Sequence, residues 1–306
     1  RGLAACGVEY QNSKGDISFE GVSEKEIDFL SKVPNIMRLK FRQILKDLFP
    51  EMGDKLIDMH MEKSICDTRF SPTINFNSLF EIVEKDVFKR IKIQNSFKKM
   101  MNEIIILGES KGLKNSFFLH ISPNLGTSKG IEIIKESTNT DIGSTDIQLL
   151  LKGALKDNGV LCLLNKFIGD KTGKKPFGEN FNFRNVPNNH KSKIAFCKEH
   201  IPFKDMPLII GVGDTVTSEK DLNNNSFLRG GSDRSFLELI KLIGLEYGIK
   251  NNIIFVDSSH GEVYRPSTKK TGLKGITDKD DILSFDIVFK NGPNEYINWF
   301  TRMANK

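Results

Sequence analysis

The sequence predicts an α/β protein whose second half forms a parallel sheet flanked by helices, preceded by a region that mixes helices and strands. Two observations lead to this prediction. From Ile147 onward, short apolar runs typical of buried strands alternate with amphipathic helical segments, and strands joined by helices in this rhythm pair in parallel. Before Ile147, helical and strand-like periods are both present, without an internal repeat.

The composition is that of a folded globular protein. The chain of 306 residues has 38% hydrophobic and 27% charged residues, and it is long enough for one large domain or two ordinary ones. The net charge of +6 is spread along the chain, which does not favour a dedicated nucleic-acid-binding protein. No stretch reaches the roughly 18 apolar residues of a membrane-spanning helix. The four cysteines form no CxxC pair, so we expect a cytoplasmic protein with reduced thiols.

Helical periodicity dominates the first half. Apolar residues recur at helical spacing over residues 24–49 and predict one helix there, and the same spacing over residues 78–108 predicts a second one. Residues 116–121 change to the period of a strand, and a loop containing Pro123 and Gly126 follows them.

The second half is predicted to supply the parallel sheet and its helices. The predicted strands are Ile147–Leu151, Leu208–Val212, Ile253–Val256 and Ile287–Phe289. The predicted helices are Lys156–Phe167, a helix with Ser232 as its N-cap, and Glu295–Met303. The polar stretch Gly169–Lys193 is predicted to be a long surface loop. Ligands bind at the carboxyl ends of parallel strands, which directs attention to Lys152–Lys156, Gly213–Thr217 and Asp257–His260.

Asp214 gives the strongest local signal for chemistry. It follows the apolar run Leu208–Val212 and Gly213, so the carboxylate is expected at the carboxyl end of a strand, where it would suit Mg²⁺. A Gly-Asp pair also forms ordinary turns, and that alternative stays open.

Asp233 and Lys156 each stand at the predicted start of a helix. An aspartate in a first turn complements the helix dipole, but together with Asp214 it could share a cation. Lys156 opposes the dipole at its position, which favours a role toward a phosphoryl group. A solvated surface lysine is the alternative.

His120, Asn124 and Lys129 follow the strand of the first half and could bind substrate hydroxyls or a phosphate. Alternatively, His120 simply lies on the solvent side of its strand. The chain contains no Walker A loop, GxGxxG fingerprint or HExxH motif, which excludes several enzyme classes from first consideration.

The order of strand, lysine and helix, then strand, Gly-Asp, loop, Asp and helix, resembles motifs III and IV of haloacid-dehalogenase phosphatases. Among these phosphatases, the sequence most resembles the glucosylglycerol 3-phosphate phosphatases, which are the salt-tolerance family. The stretches that carry the resemblance are Asn115–His120, Pro123–Gly126, Lys156–Leu164, Gly211–Ser218, Arg229–Arg234 and Val256–Ser259.

The resemblance implies a Rossmann-like core over residues 141–306 and an inserted α+β cap made mainly of residues 1–140, which would close over the sugar. It implies a Mg²⁺-dependent phosphatase that acts on a small sugar phosphate through an aspartyl-phosphate, with no nucleic-acid or membrane partner. Lys156 would hold the nucleophile and the phosphate charge. Asp214 would bind Mg²⁺, and Asp233 would bind it directly or orient its waters. In the cap, the substrate-binding residues would be His120 and Asn124.

The chain departs from this family pattern in two places. Residues 1–20 contain no Asp-x-Asp motif, so we expect the first core strand and the nucleophile to precede residue 1, and we expect the chain by itself to be inactive. Asp214 and Asp233 are also separated by a longer stretch than in many such enzymes. The alternatives are a phosphatase for a related sugar phosphate, such as sucrose phosphate, and a non-catalytic binding protein.

Overall fold

The computed structural model describes residues 2–66, 68–128, 130–221, 226–259 and 267–305. Within it the chain forms two compact units. One is Val22–Lys152, and the other combines Arg1–Gly21 with Gly153–Lys306. We call them the inserted unit and the discontinuous unit. Lys129 and His260, two positions of interest in the sequence, lie outside the described residues.

Helices and strands alternate through both units, as predicted for an α/β protein. The helices are α1 (Glu24–Leu48), α2 (Asp54–Ser64), α3 (Asn77–Val83), α4 (Val87–Ser110), α5 (Lys156–Thr172), α6 (His190–His200), α7 (Arg234–Tyr247), α8 (Thr268–Thr271) and α9 (Pro293–Ala304). The strands are β1 (Gly2–Ala4), β2 (Glu9–Gln11), β3 (Ile17–Phe19), β4 (Ile65–Cys66), β5 (Thr73–Asn75), β6 (Phe117–Ser122), β7 (Asn124–Ser128), β8 (Ile131–Ile134), β9 (Asp146–Leu151), β10 (Ile210–Gly213), β11 (Thr217–Asp221), β12 (Ser226–Gly230), β13 (Asn252–Val256) and β14 (Ile287–Phe289).

The inserted unit packs helices against an antiparallel sheet of order β4-β5-β9-β6. The predicted helix over 24–49 is confirmed as α1, which begins with a capping box between Ser23 and Glu26. The single helix predicted over 78–108 is wrong. The helical region divides into α3 and α4, because Glu84 has φ of +43°, a value that a helix does not allow.

The strand predicted at Ile147–Leu151 forms, as β9, but not in the parallel sheet. It pairs antiparallel with β5 and β6 inside the inserted unit. For this reason the division between the two units falls after Lys152, whereas the sequence analysis placed a domain boundary after residue 140. An apolar run shows that a strand is buried, but it does not identify the strand's partner.

The discontinuous unit contains the parallel sheet, of order β10-β13-β14. The predicted strands Ile253–Val256 and Ile287–Phe289 are confirmed. The strand predicted at Leu208–Val212 is confirmed as β10, although it starts two residues later. Helix α7 packs on this sheet, and its side chains Leu237 and Ile240 form a core with Ile253 and Phe255 of β13. A hairpin of β11 and β12 and a small antiparallel sheet of β1, β2 and β3 complete the unit.

The stretch Gly169–Lys193 is not simply a surface loop. Phe181 and Phe183 are buried, and α6 begins at His190 and carries Lys193 into the interior with only 1% of its side chain exposed. The stretch is rich in polar residues, but two aromatic residues are enough to anchor it to a core.

An apolar cleft of about 650 Å³ lies in the discontinuous unit. It is lined by residues 208–210, which lead into β10, and by side chains of α5 and α7. Leu208, Leu163, Phe167 and Ile210 are among its partly exposed apolar residues. Within the described residues, β13 is the strand that pairs with β10. That a further core strand precedes residue 1 stays a prediction.

Among the described residues, no helix combines the length and the apolar character required to cross a bilayer.

Candidate active site

Lys156, Asp214 and Asp233 are brought together in the discontinuous unit. One carboxylate oxygen of Asp233, Oδ1, accepts a hydrogen bond from the ammonium group of Lys156. The other, Oδ2, accepts hydrogen bonds from the backbone N–H groups of Asp214 (2.8 Å) and Thr215 (3.0 Å). The Thr215 hydroxyl donates to Asp214 Oδ1 at 2.7 Å. Three residues from distant parts of the sequence therefore share one network.

The charges of this network differ in their access to solvent. Asp233 has 6% of its side chain exposed, whereas Lys156 has 44% exposed. A buried carboxylate requires a compensating charge or hydrogen bonds, and Asp233 has both. Because nearly half of the Lys156 side chain is exposed, it could also contact an anionic ligand.

The start of α7 explains why Asp233 points toward the strand end. We predicted Ser232 as the N-cap, but the helix begins at Arg234 with Asp233 in the cap position, and no side chain caps it. The prediction is wrong by one residue. The Asp233 carboxylate does not cap its own helix, because it accepts hydrogen bonds from the loop after β10. A cap residue used in this way weakens its helix slightly and indicates a function elsewhere.

The wide spacing between Asp214 and Asp233 does not separate them. Between them, the described residues form β11 and β12, which pair antiparallel with Thr217 opposite Gly230. A hairpin returns the chain to its starting point whatever its length. Gly231 completes the return with φ of +101°, and a Cβ atom there would lie 2.3 Å from the Thr215 carbonyl oxygen. The two acids are neighbours in space for that reason.

Two arginine–aspartate pairs hold the hairpin and the start of α7 in place. Arg229 binds Asp278 through Nε (2.9 Å) and Nη2 (2.7 Å), and Arg234 binds both carboxylate oxygens of Asp281 at 2.9 Å. The Arg229 guanidinium, helped by Ser218, keeps the pKa of Asp278 well below its usual range. Bidentate pairs of this kind fix geometry as well as charge.

Asp257, at the end of β13, lies in the third predicted region and organises the chain after it. Its carboxylate accepts hydrogen bonds from the N–H and hydroxyl of Thr268 (2.7 and 2.5 Å) and from the N–H of Ser259 (2.9 Å). Burial raises the pKa of Asp257, but the hydrogen bonds from Ser259 and Thr268 outweigh it and lower the pKa to about 2. These contacts give Asp257 a structural role.

Cys6 lies within electrostatic reach of the same network. Burial raises the pKa of its thiol; Lys156 opposes this effect, and Asp233 and Asp157 add to it. The thiol is therefore neutral at physiological pH and is a poor nucleophile.

Gly213 allows Asp233 to approach the strand. A Cβ atom at this position would lie 2.9 Å from the Cβ of Asp233 and 2.9 Å from Leu237 Cδ1. We expect Gly213→Ala to destabilise the protein by about 1–3 kcal/mol through overpacking and to displace Asp233 from the Asp214 backbone. The melting temperature should fall as a result. The matched control is Gly2→Ala, where an added Cβ meets no atom within 4 Å. An unchanged melting temperature for Gly213→Ala would contradict the close contact.

The predicted substrate-binding residues His120 and Asn124 lie in the inserted unit, and both contact Glu132 of β8. His120 Nδ1 is 2.8 Å from Glu132 Oε1, and Asn124 Nδ2 donates to Glu132 Oε2 at 3.0 Å and to the Ile121 carbonyl oxygen at 2.9 Å. The side-chain oxygen of Asn124, Oδ1, accepts a hydrogen bond from the Gly126 N–H at 2.9 Å. The amide of Asn124 therefore supports the local strands. If His120 donates from Nδ1, its Nε2 is an acceptor.

Sequence reasoning missed several residues of these networks. Thr215 directly follows Asp214, so proximity in sequence was an available signal. Glu132 offered none, because a single charged residue in a polar segment looks like any solvated side chain.

Two carboxylates are available to a metal ion in this network. Among the described ranges, no group of three or more His, Cys, Asp or Glu residues could hold one. Mg²⁺ often takes only one or two carboxylates and completes its shell with water and substrate phosphate, so an oxygen donor set of this size fits it. Both oxygens of Asp233 accept hydrogen bonds, so direct coordination of a metal ion by Asp233 would require it to give up one of them.

A lysine and two aspartates at the carboxyl end of a parallel strand, next to two helix starts, define an α/β protein of the class that binds phosphorylated ligands. The chain belongs to the glucosylglycerol-phosphate phosphatase family, whose sequence model matches residues 1–304. It is 35% identical to a glucosylglycerol-phosphate phosphatase from Synechocystis sp. over an aligned length of 320 residues, which covers 100% of this chain and 75% of that protein. No solved structure matches the chain.

Proposed function

We propose that this protein hydrolyses glucosylglycerol phosphate to glucosylglycerol and inorganic phosphate, a step in making a compatible solute for salt tolerance. The observation that carries the proposal is the Lys156–Asp233–Asp214 network in a chain that matches the family over residues 1–304. A water molecule supplies the elements that replace the phosphate ester bond, so an uncharged polyol glycoside and phosphate are the products.

Each residue of the network has a part in this proposal. Lys156 would neutralise charge on the phosphoryl group, which it could reach because its side chain is partly exposed. Asp214 would hold Mg²⁺, and Asp233 would fix Lys156 and the Asp214 loop rather than bind the ion directly. When bound, Mg²⁺ would offset the negative charge of the phosphoryl oxygens. That the nucleophilic aspartate precedes residue 1 stays a prediction.

The fold supports the same proposal in a finer form. The discontinuous unit, with its parallel sheet and helices, would be the Rossmann-like core of a haloacid-dehalogenase phosphatase. The inserted unit, Val22–Lys152, would be the cap that selects the sugar. The cluster of His120, Asn124 and Glu132 gathers hydrogen-bonding groups of the kind that recognise hydroxyls.

Phosphate release from glucosylglycerol 3-phosphate, measured with the full-length protein and Mg²⁺, tests the proposal. We expect release that EDTA abolishes and that Asp214→Ala lowers by about 100-fold or more, because a charge-stabilising group is lost. Asp280→Ala is the control, since Asp280 is an exposed aspartate of the same unit, and it should leave the rate unchanged.

The outcomes separate the alternatives. Release that Asp214→Ala does not affect would remove Asp214 from the metal site. Turnover of sucrose phosphate in place of glucosylglycerol 3-phosphate would move the substrate to a sister specificity. Turnover of neither, by a protein with a cooperative melting transition, would favour a non-catalytic binding protein.

A further inference from the structure

A second charged cluster lies at the starts of α5, α6 and α7 and has no part in the chemistry described above. Asp157 and Lys193 form an ion pair with side-chain exposures of 5% and 1%. The oxygen of Asp157 that binds Lys193, Oδ2, also accepts a hydrogen bond from the Ser235 hydroxyl at 3.1 Å. One buried carboxylate oxygen therefore joins α5, α6 and α7.

Histidine 190 extends the cluster on its exposed side. His190 Nε2 lies 3.1 Å from the Ser235 hydroxyl oxygen, and His190 Nδ1 lies 3.9 Å from Glu238 Oε2. The single hydroxyl proton of Ser235 is given to Asp157, so His190 must donate from Nε2. The Ser235 hydroxyl is thus held from both sides and cannot rotate freely.

The sequence positions of these residues connect the cluster to the proposed site. Asp157 is the residue after Lys156, in the first turn of α5. Ser235 is two residues after Asp233, in the first turn of α7. The bond between Asp157 and Ser235 therefore ties together the two helix starts that carry Lys156 and Asp233.

Stability alone does not account for a buried ion pair at this place. Removing two charges from water costs several kcal/mol, and well-packed apolar residues often stabilise a protein equally well or better. Fixing the position of neighbouring groups is a use of such a pair that apolar side chains do not provide, because hydrophobic contacts have no preferred direction.

We propose that Asp157, Lys193 and Ser235 are positioning residues that set the distance between Lys156 and Asp233. The proposal rests on the proposed phosphatase function. Lys193 holds the Asp157 carboxylate from the interior, and Asp157 in turn holds the start of α7 through Ser235. Loss of the Ser235 hydroxyl removes this bond between the starts of α5 and α7, and the ammonium group of Lys156 then no longer meets the phosphoryl group in a fixed geometry.

Ser235→Ala is the sharpest test, because it removes the tie without leaving a buried charge unpaired. We expect kcat for glucosylglycerol 3-phosphate to fall about tenfold with KM nearly unchanged, since misplacement of a catalytic group by a fraction of an ångström has effects of this order. The melting temperature should stay close to that of the wild type. Ser235→Thr keeps the hydroxyl and should restore kcat to within about twofold.

Ser192→Ala is the matched control: Ser192 is an exposed serine in the first turn of α6, and kcat should not change. Lys193→Met is compared with Lys191→Met, an exposed lysine of the same helix. Lys193→Met should lower kcat if the protein folds, and the Ser235 variants decide the matter if it does not.

The results distinguish this proposal from the phosphatase function itself. Absence of turnover by the wild-type protein would overturn the proposed function and with it this inference. Turnover by the wild type with an unchanged kcat in Ser235→Ala would overturn the positioning role alone. An equal loss of kcat in Ser235→Ala and Ser235→Thr, or a loss that follows a lowered melting temperature, would also overturn it.

Discussion

Asp233→Asn is expected to lower phosphate release by about 100-fold, the size of effect seen when a residue that orients a charged centre is neutralised. Asparagine has nearly the shape of aspartate but only one acceptor oxygen. Asp233 uses one oxygen for Lys156 and the other for two backbone N–H groups. In the variant, an amide NH₂ group must face one of these two sets of donors.

Both orientations of the new amide are unfavourable. If its NH₂ faces Lys156, the ammonium group loses its anchor; if it faces the backbone, the Asp214 loop is displaced. The loss should appear mainly in kcat, with a cooperative melting transition retained. Asp280→Asn, at an exposed aspartate of the same unit, should behave like the wild type. A rate for Asp233→Asn within threefold of the wild type would show that the Lys156–Asp233 contact is not part of the site.

The positions of Asp214 and Asp233 could be predicted from sequence because both follow local rules. A strand that runs into Gly-Asp places the carboxylate at the sheet edge, and a helix start two or three residues after Gly-Gly places the second acid. What local rules could not give was the direction of the Asp233 side chain. That depends on Gly213, whose missing Cβ leaves room for Asp233.

The errors arose where tertiary contacts decide. The apolar run of β9 was assigned to the parallel sheet, but its backbone pairs with β5 and β6. Lys193 lies in a polar segment that looks solvated. It is nevertheless almost fully buried, because it forms an ion pair with Asp157, which is distant in sequence. The pairing of distant residues is not encoded in the periodicity of either segment.

Arg234→Met is expected to produce a large loss of stability. The Arg234 side chain is 6% exposed and its partner Asp281 is 0% exposed. The guanidinium group also donates to Glu238 (2.9 Å) and to the carbonyl oxygens of Thr217 and Ile276 (3.1 Å each). Removing the arginine leaves a buried carboxylate without its cation, which costs about 3–5 kcal/mol.

The physical reason is tested by removing the second charge as well. In the double variant Arg234→Met with Asp281→Leu, the fully buried carboxylate is removed as well, and the charge that loses its partner is that of Glu238, whose side chain is 19% exposed. We therefore expect a smaller loss than in Arg234→Met alone. Urea unfolding would measure both free energies. Lys32→Met is the control, because the Lys32–Asp28 pair is 56% and 65% exposed and such pairs contribute at most about 1 kcal/mol.

This comparison also separates stability from catalysis. Arg234 lies next to Asp233 in sequence and fixes the start of α7 to the segment around Asp281. If the double variant regains stability but not phosphate release, the arginine is needed to hold Asp233 in place. If it regains both, apolar packing is sufficient at this position, and the remaining bonds of Asp233 to Lys156 and the Asp214 loop keep the site in order. A loss below about 1 kcal/mol in Arg234→Met would contradict the premise that this pair is buried and unscreened.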